Sequence, residues 1–155
     1  MKSERKEGVK LERGIWRKIS DSITGSHPHQ PEVRLRVTNL TRQTEIAHSL
    51  EVADRGPNRR KGLLGREALM AGEGLWITPC EAVHTFGMRF SIDLVYLDRK
   101  LRVKKVRNNV PAWRLSACLS AHSVIELPSG TVSRTQTKAG DMLECSEAPA
   151  KDLLA

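Results

Sequence analysis

The stretch that decides the fold is FSIDLVYLD, residues 90–98, which is the most apolar run in the chain. In an extended strand, successive side chains point to opposite faces of the sheet. The two faces here would carry Ile92, Leu94 and Tyr96 on one side and Asp93, Val95 and Leu97 on the other. Because both sets are largely apolar, the pattern predicts a central strand that is covered on both sides.

Shorter runs on either side of this stretch also have the pattern of strands. They are residues 33–37, 44–52, 75–77, 101–106, 123–127 and 142–145. Pro57 stands where a helix would begin, and the predicted helix covers residues 59–67 and ends near Gly65. Several short strands with one short helix indicate a mainly β (α+β) fold, a compact barrel-like or sandwich-like domain.

The composition predicts one basic domain with polar ends. The chain has 155 residues, and 26 Lys+Arg against 18 Asp+Glu give it a formal net charge of +8. This length fits a single domain, and no apolar run is long enough to cross a membrane. Residues 1–31 are polar and predict a flexible basic arm, residues 32–147 the β-rich domain, and residues 148–155 a disordered tail.

The cysteines and the amino terminus predict the compartment. Cys80, Cys118 and Cys145 are an odd number at wide spacings, which does not suggest a disulfide framework. The first twenty residues are strongly charged and have no apolar core of a secretory signal. We therefore expect a cytoplasmic protein, monomeric and without a membrane partner.

Four stretches of the sequence resemble the domain of unknown function 192 family. They are RRKGLLGRE (59–67), GLW (74–76), PCEAVHTFGMRFSIDLVYLD (79–98) and VIELPSGTVSRTQTKAGDMLEC (124–145). The resemblance extends over residues 45–146, with Leu64 where the family motif has Met and Ser91 where it often has Pro. It implies a compact β-rich fold, and it brings no established activity with it.

Asp93 is the charged residue of the predicted central strand. An ionised carboxylate surrounded by apolar side chains costs several kcal/mol unless a cation or several donors compensate it. The candidate partners are Arg59, Arg66, Arg89 and His84. Two interpretations follow: a buried ion pair that ties the strand to the helix, or a carboxylate that faces a ligand or serves as an acid–base group.

The predicted helix carries two arginines that could hold an anion. Arg59 and Arg66 are two turns apart and would share one face, with the side-chain-free Gly62 near it. Guanidinium forks bind carboxylates and phosphates in a two-point geometry. The alternative is that acidic residues of the domain itself satisfy both arginines: Asp54, Asp93 or Glu126.

The first functional hypothesis is a binding or accessory module for a small anionic ligand or an acidic partner segment. The ligand-binding site would gather seven residues: Arg59, Arg66, Cys80, His84, Thr85, Met88 and Asp93. The arginines would pair with the negative charge, while the Thr85 hydroxyl or loop amides would donate hydrogen bonds. No cofactor is predicted, and the Cys and His residues do not have the clustered spacing of a metal site.

Two other functions stay open at this point. Cys80 could be a nucleophile with His84 as its base, which would make the protein a hydrolase or transferase. Residues 99–107 hold six cations and no acid, so they could bind nucleic acid weakly and non-specifically through its phosphates. No aromatic residue interleaves with this run to stack bases, and the lysines could equally protect an edge strand from aggregation.

Overall fold

The structure is a computed structural model, and it describes residues 34–54 and 61–149. The predicted arm and most of the predicted tail lie outside these residues. The described strands belong to one compact unit that begins at Arg34. The strands are β1 Leu35–Asn39, β2 Thr44–Ala53, β3 Glu73–Ile77, β4 Ala82–His84, β5 Ile92–Leu97, β6 Val103–Val110, β7 Leu115–Ala117, β8 Ser123–Pro128 and β9 Leu143–Glu147. One helix, α1, covers Thr131–Thr135 between β8 and β9.

Seven of the strands form one curled sheet in the order β6-β5-β8-β3-β2-β1-β9. The β2–β3 pair is parallel, and the other neighbours are antiparallel. The two outer strands approach each other at one end through a bridge between Arg102 and Met142. The predicted mainly β fold is therefore confirmed, in the form of a half-closed barrel.

The central strand of the prediction is β5, which lies between β6 and β8 and is buried along its whole length. Its two faces are those expected from the sequence. Leu94 and Tyr96 contribute to a large apolar cluster, and we call this side of the sheet the Tyr96 face. Asp93 belongs to the opposite side, which we call the Asp93 face, and α1 contacts the sheet there through Val132.

Two loop segments and a small second sheet cover the Tyr96 face. Leu63 and Leu69 come from the loop before β3, and Val83 and Met88 come from the connection between β3 and β5. Strands β4 and β7 pair with each other, with Ala82 opposite Ala117 and His84 opposite Leu115. This layer brings the loop residues of the predicted site onto one side of the sheet.

The helix predicted for residues 59–67 ends earlier than expected in the part of the chain that the structure describes. Lys61 is helical, but residues 62–65 form a turn in which Gly62 and Gly65 have φ angles of +50° and +84°. These left-handed conformations end any helix, so Arg66 follows the turn instead of continuing a helical face. Beyond Lys61, the described residues form an α-helix at α1, a segment for which the sequence analysis predicted no helix.

No helix among residues 34–54 and 61–149 has the length and apolar character that crossing a membrane requires.

Candidate functional site

Asp93 is fully buried, as expected, and its partners among the described residues are backbone amides instead of Arg66, Arg89 or His84. Its Oδ1 accepts a hydrogen bond of 2.8 Å from the backbone N–H of Asn109, and its Oδ2 accepts one of 2.8 Å from that of Val132. Val132 lies in the first turn of α1, so the carboxylate caps the positive end of a helix. Its partners are amides because the Asp93 face meets α1, whereas Arg66 and His84 belong to the layer on the other face.

Arg66 is held by an acid that the sequence analysis did not consider. Its two terminal nitrogens donate to the Oε1 and Oε2 atoms of Glu51 at 3.1 and 2.6 Å. Arg34 also reaches Glu51 Oε1 at 2.6 Å. Burial alone would raise the pKa of Glu51, but the hydrogen bonds from Arg66 and Arg34 outweigh it and lower the pKa. Arg59, the second predicted arginine, lies outside the described residues.

Thr85 and Met88 are both buried and both hold the loop after β4 in place. The Thr85 hydroxyl donates to the carbonyl oxygen of Pro111 at 2.7 Å and accepts from the backbone N–H of Arg114 at 2.9 Å. The Thr85 carbonyl accepts from the amides of Met88 and Trp113. These contacts join the loop after β4 to the loop between β6 and β7.

His84 and Cys80 lie at the two ends of the short segment around β4. The His84 ring is exposed and stacks on Phe86, with ring centroids 5.1 Å apart. The Cys80 thiol is half-buried and donates to the carbonyl oxygen of Ala82 at 3.1 Å. A cysteine-dependent reaction stays a prediction.

The structure therefore brings most of the described site residues to one side of the sheet and leaves one on the other. Arg66, Cys80, His84, Thr85 and Met88 belong to the layer that covers the Tyr96 face. Asp93 points to the opposite face. Most of these side chains are occupied by internal contacts. The exposed ring of His84, stacked on Phe86, is the accessible part of the group.

A second buried carboxylate, Glu126 of β8, lies on the Tyr96 face and was missed as a site residue. It is 3% exposed, and its Oε2 has no hydrogen-bond partner among the described residues. Burial raises the pKa of Glu126 to about 7, although the positive charge of Arg66 acts in the opposite direction. The signal was present in the sequence, since Glu126 interrupts an apolar strand just as Asp93 does.

The outward face of the β4–β7 sheet is the largest apolar feature of the site. Large side chains at alternate positions of the β7 segment point to solvent: Trp113, Leu115 and Leu119 are 67%, 68% and 82% exposed. Phe86, which is 44% exposed, stacks on Trp113 with ring centroids 5.9 Å apart. The inward residues of the same small sheet, Val83 and Ser116, are buried.

We call this surface the outward face and define it by seven exposed residues. They are Ala82, His84, Phe86, Trp113, Leu115, Ala117 and Leu119. The sequence analysis reached only His84 of this set, because β4 and β7 are three-residue strands with little alternation to detect.

Cations lie along and beside the outward face. Arg114 is exposed between Trp113 and Leu115, and its guanidinium donates to the Trp113 carbonyl at 3.1 Å. Arg89 is also exposed, and its ion pair with Glu67 is long at 3.9 Å. Lys105 of β6 donates to the carbonyl oxygen of Ala117 at 2.8 Å. The face thus combines exposed apolar side chains with positive charge.

Comparison with known proteins gives a family and a fold. The family model for the domain of unknown function 192 (DUF192), described as an uncharacterized ACR, matches residues 37–145. No curated protein matches the sequence significantly.

Two solved structures resemble the chain. One, from Sinorhizobium meliloti, is titled a "putative transcription regulator"; it is 19% identical, with a TM-score of 0.65 over 77% of this chain and 98% of that one. The other, a protein of unknown function from Novosphingobium aromaticivorans, is 21% identical, with a TM-score of 0.64 over 77% of this chain and 91% of that one. At these identities the likeness concerns the fold.

Proposed function

The chain belongs to the DUF192 family, a membership that settles the fold and leaves the activity open. We propose that the domain is a binding module for an acidic segment of a partner protein. The segment would lie on the outward face of the β4–β7 sheet. The observation that carries the proposal is the row of exposed large apolar side chains on that face.

The apolar character of the outward face supports a macromolecular partner. Single exposed hydrophobic residues are normal on a protein surface, but a contiguous group of them usually marks an interaction site. Here Phe86 and Trp113 stack on each other, and Leu115 follows Trp113 at the next outward position. The chain has only six aromatic residues besides histidine, and two of them lie on this face. Aromatic side chains are also common anchors of protein interfaces.

The charges around the face favour an acidic partner. Arg114 is exposed and lies between Trp113 and Leu115 in the chain, and Arg89 is three-quarters exposed with a long contact to Glu67. Exposed arginines at the rim of an interface attract acidic segments and align them by charge complementarity. An apolar segment flanked by Asp or Glu therefore fits this surface better than a neutral or basic one.

Internal hydrogen bonds also connect the two loops of the outward face. The buried Thr85 hydroxyl fixes the loops that carry Phe86 and Trp113, through its bonds to Pro111 and Arg114. A rigid surface loses little conformational freedom on binding, so more of the interaction free energy appears as affinity.

The proposal differs from the predicted small-anion pocket in where the ligand lies. Of the predicted ligand residues, Arg66 already has both terminal nitrogens on Glu51, and Asp93 and Thr85 have internal partners. A small anion would have to displace these contacts, whereas a segment on the outward face displaces none of them. The pocket itself stays a prediction.

Selection from a random-peptide display library tests the proposal without assuming a sequence. The expected result is enrichment of peptides that carry apolar anchors flanked by Asp or Glu. The double variant Trp113→Ser/Leu115→Ser should bind the selected peptides with an affinity at least about tenfold lower, which is about 1.4 kcal/mol. Leu40→Ser is the matched control, since Leu40 is 51% exposed on the β1–β2 turn, and it should bind like the wild type.

Two outcomes would contradict the proposal. Enriched peptides could bind the double variant as well as they bind the wild type, or the enriched peptides could be basic. Thermal unfolding of both variants shows whether a lost affinity reflects the surface or the fold, because exposed positions should change stability by less than about 0.5 kcal/mol.

Non-specific nucleic-acid binding is a second candidate, and one observation favours it. Strand β6 is an edge strand, and the cations in and before it make no ion pair among the described residues: Arg99, Lys100, Arg102, Lys104 and Arg107. Such a row can neutralise successive phosphates.

Fluorescence polarisation with a 20-nucleotide oligothymidine at several salt concentrations separates the two candidates. Nucleic-acid binding requires an affinity that falls steeply with salt and weakens in Lys104→Glu/Arg107→Glu. If the oligonucleotide does not bind at low salt, this second candidate is wrong.

A further inference from the structure

We propose that Arg66 is a two-position side chain, which binds Glu51 while Glu126 is protonated and moves to Glu126 when that carboxyl ionises, leaving Glu51 on Arg34. The domain would then contain a proton-operated switch beneath the turn that carries Arg66. The inference concerns the Tyr96 face of the large sheet and does not depend on a partner at the outward face.

The sheet register places the two carboxylates in one row. Glu51 of β2 is opposite Leu75 of β3, and Leu75 is in turn opposite Glu126 of β8. Residues directly opposite each other point to the same face, so Glu51 and Glu126 both belong to the Tyr96 face. They are two strands apart, which is roughly 10 Å between their backbones. One long arginine side chain above the row can serve either carboxylate.

The exchange gives each ionised carboxylate of the cluster one arginine partner. While Glu126 is protonated, one ionised acid, Glu51, faces two guanidinium groups, with Arg34 and Arg66 each 2.6 Å from it. When Glu126 loses its proton to solvent, the cluster gains a second negative charge. If Arg66 then moves, Glu51 keeps Arg34, and each of the two acids has one arginine. No buried or half-buried charge is left without a partner.

Burial supplies the driving force. The Glu126 Oε2 atom has no hydrogen-bond partner among the described residues, and an ionised carboxylate in this state is strongly unfavourable. A guanidinium fork is the group that compensates it best, because it is always charged and donates two parallel hydrogen bonds.

The backbone at Gly62 leaves the approach open. A side chain added at Gly62 would place its Cβ 3.9 Å from Glu126 Oε2, so the turn that carries Arg66 passes close to the carboxyl group. Gly62 also has a φ of +50°, which glycine adopts without strain. The turn that precedes Arg66 therefore passes close to Glu126, and at Gly62 it places no side chain over the carboxyl group.

The other charged and titratable groups around Glu126 do not replace Arg66. Burial raises the pKa of Tyr96, so the phenol stays protonated through the neutral range. Glu73 adds a negative charge near Arg66, and its carboxylate accepts from the Met70 amide. Arg107 ends the same row beyond Leu94, but it is exposed on the edge strand. Among the described residues, the charge that acts on Glu126 is that of Arg66.

Nuclear magnetic resonance of the full chain, labelled with ¹⁵N at arginine and ¹³C at glutamate, tests the switch between pH 5 and 9. The carboxyl carbon of Glu126 and the Nε–H of Arg66 should titrate together, with one midpoint at about pH 7. The Arg34 Nε–H should move much less, because its partner stays the same. In Glu126→Gln, which keeps the shape and cannot ionise, the Arg66 step should disappear.

Glu144→Gln is the matched control, since Glu144 is exposed on β9, and it should leave the Arg66 step unchanged. The proposal is overturned if Glu126 titrates while the Arg66 signal stays constant, or if Arg66 titrates equally in Glu126→Gln. It is also overturned if neither group changes across the range. Should Glu126→Gln fail to fold, the paired titration of the wild type still decides between these outcomes.

Discussion

Two acidic side chains of this domain are withdrawn from water, and their surroundings treat them in opposite ways. Asp93 receives hydrogen bonds from two backbone amides at 2.8 Å, one of them at the start of a helix. Glu126 is equally buried, yet its Oε2 receives none among the described residues. The Asp93 arrangement compensates a negative charge, whereas burial raises the pKa of Glu126 to about 7. Hydrogen bonds hold the first carboxyl group in place, and protonation stabilises the fold at the second.

The dependence of stability on pH should reveal Glu126. Its pKa is about 7 in the folded chain and 4.5 in the reference state, so the folded chain holds the proton more tightly. The resulting stabilisation is full below pH 4.5 and is lost as the pH rises through about 7. A difference of this size corresponds to about 3 kcal/mol. Urea unfolding of the wild type and Glu126→Gln at pH 5, 6, 7 and 8 measures it, with the variant gaining relative to the wild type as the pH rises.

Exposed Glu144 again provides the comparison, because Glu144→Gln should run parallel to the wild type over this pH range. If the Glu126→Gln curve were parallel as well, the folded chain would not hold a raised carboxyl pKa at this position.

Replacing Asp93 should be costly in a graded way. Asp93→Ala removes both hydrogen bonds and leaves the buried Val132 amide without its acceptor, so we expect a loss of about 3 kcal/mol. Asp93→Asn retains one acceptor oxygen and should lose less. Urea unfolding gives the free energies, and hydrogen exchange of the Val132 amide reports the cap directly. An Asp93→Ala variant as stable as the wild type would show that the helix start does not need this carboxylate.

At the scale of elements, the small β4–β7 sheet separates a buried interior from an exposed apolar surface. Val83 and Ser116 point inward and are buried, while Phe86, Trp113 and Leu115 are exposed. Three-residue strands have few hydrogen bonds of their own, so the loops around them must supply the rigidity. Thr85 does this, because its hydroxyl and backbone together contact both loops.

Thr85→Val keeps the volume of the side chain but removes the hydroxyl, so it should loosen the β4–β7 sheet. The carbonyl of Pro111 and the amide of Arg114 would lose their partner, at a cost of about 1–3 kcal/mol. Thr85→Ser keeps the hydroxyl and should lose less. Thermal unfolding measures the stability, and the ring proton shifts of Phe86 and Trp113 report the stack. Unchanged shifts in Thr85→Val would mean that the stack does not depend on this hydroxyl.

The whole domain is organised by contacts between distant parts of the chain. Asp141, before β9, accepts hydrogen bonds from Asn39 at 2.9 Å and from Arg42 at 3.1 Å, about a hundred residues earlier. Burial would raise the pKa of Asp141, but these hydrogen bonds and the Lys138 amide lower it. Together with the Arg102–Met142 bridge, this network joins the start of the described chain to its end and curls the sheet.

Amide hydrogen exchange should follow this architecture. Strands β5 and β8 lie inside the sheet with almost every residue buried, so their amides should open only with global unfolding. The amides of β4 and β7, in the small outer sheet, should exchange faster by local opening. Exchange followed by NMR at pH 6 gives the order, and slower exchange in β4 than in β8 would contradict it.

The sequence pattern alone predicts the central strand, its two faces and the mainly β architecture, because strand alternation is a local property of residues 90–98. The sequence also predicts that Asp93 is buried, because a strand that is covered on both sides buries every side chain within it. The predicted helix extends too far, because Gly62 and Gly65 adopt left-handed φ angles that end it after Lys61.

The partners of the buried charges depend on tertiary contacts. Asp93 meets amides 16 and 39 residues away, and Arg66 meets Glu51 across 15 residues and acts on Glu126 across 60. The outward face likewise depends on β4 and β7 being paired. Such encounters depend on the order and register of the strands, and no local pattern in a sequence carries that information because many registers bury the same side chains.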